Sequence, residues 1–506
     1  MFSNASSISR RELLRRTSAL AVAGPAAGGL GLNLAAMGNA AAAPATGYKA
    51  LVCIFLYGGN DHYNTVLATD GSSWEAYGAE RGSPAEGIAL AAPGVSPSGS
   101  GTLHQRLGGV LPINPVTAQA GRSFALHPSA GALRDLFGNK RLAVVSNVGN
   151  LLGPTTKADY VNRTARRPGK LGSHNDQQSV WQSGGVEGAT RGWGGRYMDL
   201  LLAGNQSAMF SAVSINGNAV WLPGKTTRAY QLAPTGPVRV GAGDGTVYGS
   251  AAVAARMQTI MQSARDNRLI EREHASVSQR SYSATAQLGG LYPAPNAGPW
   301  GSKDQAMIDP LLQYRDPVTR QNTFSPLAHQ LQAVARTIAV RSALGMSRQV
   351  FFVGLGGWDT HDDMAERHAI LMAQLAHGMQ YFDRTLTQMG VDKDVTTFTM
   401  SEFGRALTSN GDGCDHGWGS HHFVMGGAVK GGDIYGRFPV YSSTDGQGRF
   451  LSDDLLDNGQ SLPAQSVDQY AATLGSWFGV SDSDLNLVLP NLTQWQSSKR
   501  NLGFMA

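Results

Sequence analysis

The chain has 506 residues, of which 42% are hydrophobic and 15% charged, a balance that excludes a disordered or fibrous protein. That length allows one large α/β domain or two domains. The formal charge is +5, and residues 1–43 hold four arginines and one glutamate, so +3 resides there and +2 in the remainder. Beyond residue 43 no basic run interleaved with aromatics is found, which argues against a nucleic-acid partner.

In chain order, the first element is a leader. "SRRELLRR" (Ser9–Arg16) carries twin arginines, an Ala/Gly-rich apolar run follows, and small residues surround Ala41–Ala43. This is the pattern of a twin-arginine export signal over residues 1–43. Glycines and Pro25 interrupt the run, so no stable membrane span is expected. The Tat translocase is the expected transient partner, and the mature chain, a single domain over 44–506, is expected in the periplasm or outside the cell.

"YKALVCIFLYGGND" (Tyr48–Asp61) is a continuous apolar run stopped by two glycines and an acid. "RLAVVSNVGN" (Arg141–Asn150), "QVFFVGLGGWDTH" (Gln349–His361) and "DVTTFTMSEFGR" (Asp394–Arg405) are of the same kind. Such runs suit strands covered on both faces. Residues 68–125 are loop-rich, and about 204–301 reads as an insertion or cap, with strand-like pieces and then a polar helix around Ala251–Thr285. Two helices follow by their 3–4 periodicity. One spans Ser325–Leu344, with Ser325 and Pro326 placed as N-cap and first helical residue. The other carries Ile370, Leu371, Leu375, Met379, Phe382, Leu386 and Met389. Strand–helix alternation predicts an α/β fold, a doubly wound sandwich with a mainly parallel central sheet and loop-rich insertions. Glycine, at 64 residues, exceeds the usual share of about 7% and agrees with many tight turns.

Open α/β sheets bind ligands beyond the carboxyl ends of their strands. The first run ends in Asp61 and His62, the third in Asp359 and His361, the fourth in Glu402. "CDHGWGSHHF" then adds Asp415, His416, His421 and His422. Carboxylates with imidazoles suit Zn²⁺ or Mn²⁺. Each residue has a plainer reading: Asp61 as a cap, His361 as a loop residue, Arg405 as the partner of a nearby acid. His421 and His422 point to opposite faces if they lie on a strand. Cys53 and Cys414 are the only thiols, too few for a disulfide framework, though one bond is open to them. Trp181, Trp193, Trp221 and Trp300 line a sugar groove or belong to the core.

The motifs "SRRELLRR", "FLYGGNDHYNTV", "SHNDQQSVWQSG", "GGWDTH", "MSEFGR" and "DHGWGSHHFVMGGAVKGG" together resemble the bacterial exported family called domain of unknown function 1501. That family resembles the alkaline phosphatase and sulfatase superfamily, which implies an alkaline phosphatase-like sandwich with one or two metal ions. The resemblance implies Asp359, His361 and His416 as ligands of one Zn²⁺ or Mn²⁺, with Asp61 and Glu402 holding a second or sharing the first. It also implies a nucleophile at Ser173 or His174, while Glu402-Phe403 stands where many relatives have Asp-His. Arg405 is placed to neutralise anionic oxygens, and His62 and Asn64 to contact or orient substrate. The implied function is metal-dependent hydrolysis or transfer at a phosphate or sulfate ester of a small molecule or envelope component. The alternatives are a non-catalytic exported metal-binding or envelope-assembly protein and a carbohydrate-active enzyme.

Overall fold

The computed structural model describes residues 47–237, 245–263 and 268–506. The twin-arginine segment expected at 1–43 lies outside the described residues. A nine-stranded sheet organises the chain: β1 (Lys49–Tyr57), β2 (Leu142–Gly149), β3 (Ala212–Ser214), β4 (Tyr230–Gln231), β5 (Arg348–Gly356), β6 (Val395–Ser401), β7 (Ser420–Met425), β8 (Ile434–Tyr435) and β9 (Gln465–Ser466). Across the sheet the order is β8-β2-β7-β6-β1-β5-β3-β4, with β9 also paired to β2. All pairings are parallel except those of β7, which runs against both β6 and β2.

The four apolar runs are β1, β2, β5 and β6, each buried along almost its whole length. Side chains of β1 alternate between two cores, as the period of a strand requires. Ala50, Val52, Ile54 and Leu56 join the core that includes Leu331, Ile338, Met372 and Met379. Leu51, Cys53 and Phe55 join Trp181, Trp193, Tyr197, Tyr470 and Leu474 on the other face. Burying each large apolar side chain contributes roughly 1.5–3 kcal/mol, so a two-faced strand is the strongest element such a sequence can build. The mainly parallel doubly wound sandwich is therefore what the structure has.

Six helices matter for the site and its support: α1 (Gly71–Arg81), α2 (His174–Ser183), α3 (Trp193–Leu201), α4 (Pro326–Ala339), α5 (Met364–Gln388) and α6 (Val467–Phe478). Ser325 caps α4, its side chain accepting from the Ala328 amide, with Pro326 in the first turn. The loop-rich region 68–125 contains α1 and a small sheet of Val66–Ala68, Phe124–Leu126 and Leu111–Ile113. α1 is polar and shows little periodicity, so only its cap, Asp70 accepting from the Ser73 amide, marks it in sequence. The region 204–301 begins by supplying β3 and β4 to the central sheet. Two helices, Ala251–Met261 and Leu269–Gly289, then stand where one was expected.

Both thiols are free and buried, so Cys53 and Cys414 do not pair. Trp181, Trp193, Trp221 and Trp300 are all buried in the two cores and line no groove.

Candidate metal centre

Register decides which residues meet. β1 pairs with β5 from Lys49↔Arg348 to Tyr57↔Gly356, and with β6 up to Leu56↔Ser401. Three parallel strands thus end side by side and release Gly58–Asp61, Gly357–His361 and Glu402–Arg405 from one edge. Gly58 has φ +122°, and a Cβ there would stand 2.2 Å from the Asp359 amide nitrogen, so only glycine allows this crossing. Its amide donates to Glu402 Oε1 at 2.8 Å, and its carbonyl accepts from Arg405 Nη1 at 3.2 Å. After β6, a hairpin of Arg405–Ser409 and Cys414–His416 pairs Arg405 with His416 and brings that histidine back to the strand ends.

Asp359 is the meeting point. Its Oδ1 lies 3.2 Å from His361 Nε2, 3.3 Å from His416 Nε2 and 2.7 Å from Arg405 Nη1. Its Oδ2 lies 3.4 Å from His174 Nε2. Burial pushes the Asp359 pKa upward, but the Arg405 hydrogen bond and charge outweigh it and leave the carboxyl below its ordinary value. His361 and His416 face each other, Nε2 to Nε2, at 3.0 Å.

The Nδ1 atom of each imidazole faces an acceptor on the far side of its ring. His416 Nδ1 donates to the Gly172 carbonyl at 2.8 Å. His174 Nδ1 lies 3.0 Å from Glu402 Oε1, and His361 Nδ1 lies 3.4 Å from Asp415 Oδ1. An Nδ1 proton held outward leaves the Nε2 lone pair facing in. The hydrogen bond to Glu402 also raises the His174 pKa against its partial burial, while burial lowers that of His416. The ligand atoms of His174, Asp359 and His416 all lie within 4.8 Å of one another, and His361 Nε2 stands beside two of these residues.

Glu402 stands behind this cluster, 1% exposed. Its Oε1 accepts from Gly58, His174 and Gln178 (3.0 Å to the Gln178 amide), and its Oε2 has no partner among the described residues. Arg405 is wholly buried and spends its guanidinium on Asp359, Gly58 and the Cys414 carbonyl, so it positions Asp359 and does not meet solvent. Ser173, the N-cap residue of α2, donates its hydroxyl proton to Asp176 Oδ2 at 2.8 Å.

Asp61 is not brought to the cluster. It is fully buried, and both its oxygens are taken by Arg81, at 2.6 and 2.8 Å. Arg81 comes from α1, unseen in sequence, and is itself held by the Ala406 and Leu407 carbonyls. His62 and Asn64 are buried as well, Asn64 between Tyr77 and the Ile88 carbonyl. His421 and His422 take opposite faces of β7, one against Phe438 and the other against Trp181. Sequence reasoning missed Gln178. Its signal was present, since it lies one helical turn after His174 and so shares its face.

The family described as "Protein of unknown function (DUF1501)" matches residues 48–490. The chain belongs to that family. A comparison with curated proteins finds no match. Among solved structures, one concerning metabolism of multiple glycosaminoglycans by Bacteroides thetaiotaomicron is 11% identical, with 87% of this chain and 74% of that chain covered and a TM-score of 0.32. The PsFucS1 sulfatase from Pseudoalteromonas sp. is 11% identical over 90% of this chain and 72% of that one, with a TM-score of 0.31. Ps i-CgsB in complex with k-i-k-neocarrahexaose is 11% identical over 90% and 77%, with a TM-score of 0.30. Likenesses at such TM-scores are too loose to carry residue roles across.

Proposed function

We propose that this protein is an exported, divalent-metal-dependent hydrolase or transferase acting on a phosphate or sulfate ester. One observation carries the reading: three imidazoles, each facing an outward acceptor through Nδ1, turn Nε2 toward one carboxylate. Two Nε2 atoms 3.0 Å apart need a proton or a cation between them. Donors around a tetrahedral zinc stand about 3.3 Å apart, the edge set by bonds of about 2.0–2.1 Å. The contacts of 3.0–3.4 Å that join Asp359 to His174, His361 and His416, and His361 to His416, are close to that spacing, and His174, Asp359 and His416 form the tightest candidate set. Nitrogen donors with one carboxylate suit Zn²⁺ or Mn²⁺.

A cation held by these four residues would supply Lewis acidity toward an anionic ester. Glu402 acts as the carboxylate behind His174, fixing its tautomer and ring orientation, in place of the direct ligand role the resemblance implied. Arg405 and the Gly172 carbonyl orient Asp359 and His416 in the same way. Asp61, committed to Arg81, leaves no second ion in this reading. In this reading Ser173, next to His174 at the start of α2, is the attacking hydroxyl, and Asp176, which accepts its hydrogen bond, receives the proton. The partial exposure of His174 and Asp359, 32% and 43% for their side chains, leaves the cluster open to an ester.

A second reading is a non-catalytic metal-binding or envelope-assembly protein. It is favoured by His361 standing beside His174, Asp359 and His416, since a fourth protein donor would close the coordination as in structural sites. Elemental analysis and turnover of aryl phosphate and sulfate esters, with and without chelator, separate the two. The hydrolase reading expects chelator-sensitive turnover, and metal loss together in Asp359→Ala and His416→Ala. Glu402→Gln is expected to weaken metal affinity by roughly 10–100-fold without abolishing it. Full occupancy in either alanine variant removes the proposed site, and bound metal without turnover selects the second reading. Export by the Tat translocase to the periplasm or beyond is proposed from "SRRELLRR" alone. Arg10→Lys with Arg11→Lys is expected to hold the protein in the cytoplasm on fractionation, and unchanged export refutes the assignment.

A further inference from the structure

The rim of this cluster is electrically lopsided. On the His361 side stand exposed Asp362, Asp363 and Asp412, with Asp415 beside the His361 ring and one cation, Arg367, paired to Asp362 at 2.9 Å. The Asp363 amide donates to Asp412 Oδ2 at 3.1 Å, tying the two acidic loops together. On the His416 and His174 side runs the segment 162–173, which holds Arg163, Arg166, Arg167 and Lys170 and no acid.

This basic segment is mounted on the site. The Gly172 carbonyl accepts from His416, and the Gly169 and Lys170 carbonyls both accept from Gln177 of α2 at 3.0 Å. Arg167 lies over the Tyr160 ring, 4.1 Å from its centre, and Tyr160 packs in turn on Trp418, two residues past His416. A guanidinium held on an aromatic face loses little freedom on binding. Lys170 pairs with Asp176 at 3.4 Å yet stays 65% exposed. Arg163 and Arg166 are exposed, and among the described residues neither has an acidic partner. Four cations within eight positions, of which only Lys170 has an acidic partner among the described residues, give this face a positive potential that attracts anions.

Resting on the ester-hydrolase reading, we propose that Arg163, Arg166, Arg167 and Lys170 form a subsite for the neighbouring anionic groups of an extended substrate, a polymer bearing repeated sulfate or phosphate esters. One ester group lies at Asp359 and the imidazoles. The next groups along the chain lie over the basic segment, and the acidic rim on the His361 side repels the chain from the opposite direction. A small monoanionic ester reaches the cluster without using this segment.

The test is binding of size-defined heparin oligosaccharides and of poly(glycerol phosphate), a chain of phosphate esters, measured with chelator present so that neither metal nor turnover is needed. Affinity is expected to rise with chain length for at least one of the two polymers, and which one binds distinguishes a sugar-borne sulfate chain from a phosphate chain. In Arg163→Ala with Arg166→Ala, polymer affinity is expected to fall about tenfold or more at low salt. The slope of log affinity against log salt is expected to shrink by roughly 2, one for each cation removed. Turnover of a small aryl ester, if the protein has any, is expected to be unchanged in that variant. Equal affinity of wild type and variant, or wild-type binding to both polymers no tighter than to inorganic sulfate, overturns the subsite. Patch-dependent binding without ester turnover leaves the subsite standing and refutes the hydrolase reading alone.

Discussion

Asp61 and Asp359 look alike in sequence, each an acid just beyond two glycines at the end of an apolar strand. Their fates differ by neighbours. Asp61 is enclosed and matched by both Nη atoms of Arg81, a bidentate ion pair with no exposure. Asp359 shares one oxygen with Arg405 and turns the carboxylate toward three imidazoles, half in solvent. Breaking a buried pair from one side strands the other charge, at a cost of about 3–5 kcal/mol. Asp61→Asn is therefore expected to lower unfolding free energy by about that amount in denaturant titration while leaving metal binding at the proposed site unchanged. A folded Asp61→Asn protein that has lost its metal contradicts the assignment of Asp61 to structure. No single-residue rule tells the two acids apart, because the deciding arginine lies in a polar helix whose periodicity is too weak to be read.

Among elements, the strands were legible and their ends were not. β1, β2, β5 and β6 declare themselves by apolar runs that only a doubly covered strand can bury, and α4 and α5 by their periodicity and the Ser325–Pro326 start. What the hairpin Arg405–His416 does could not be read in the same way, since a return of twelve residues has many possible geometries. It depends on Gly58, whose backbone is gripped between Glu402 and Arg405 and where any Cβ would overlap the Asp359 amide. Gly58→Ala combines an unfavourable φ with a backbone overlap, each worth about 1–3 kcal/mol. The expected result is reduced stability together with reduced metal affinity, because the strand ends must spread. Retention of both at wild-type level argues against a tight crossing at this point. The basic segment Arg163–Lys170 was likewise passed over in sequence, since its charge matters only once Gly172 brings it to the His416 side of the cluster, across from the acids.

For the molecule as a whole, both thiols are closed off from solvent, Cys53 in the core on one face of the sheet and Cys414 in a small separate cluster with Ile88 and Met364. Burial pushes the Cys53 thiol well up and that of Cys414 to about 11, so neither supplies much thiolate near neutrality. Native protein at pH 8 is expected to resist an aromatic disulfide reagent, and denatured protein to release two equivalents per chain. Rapid labelling before unfolding speaks against the closed cores. By itself the sequence determined the class of fold, the covered strands, two long helices, and the residue types gathered at the strand ends, because burial and periodicity are properties of short stretches. Tertiary structure alone decided that His174 and Glu402 form one unit, that Asp61 belongs to Arg81, and that the four tryptophans are core. Those outcomes rest on strand register and on contacts between residues 20 to more than 200 positions apart, and in a strand a shift of one position would send each side chain to the opposite face.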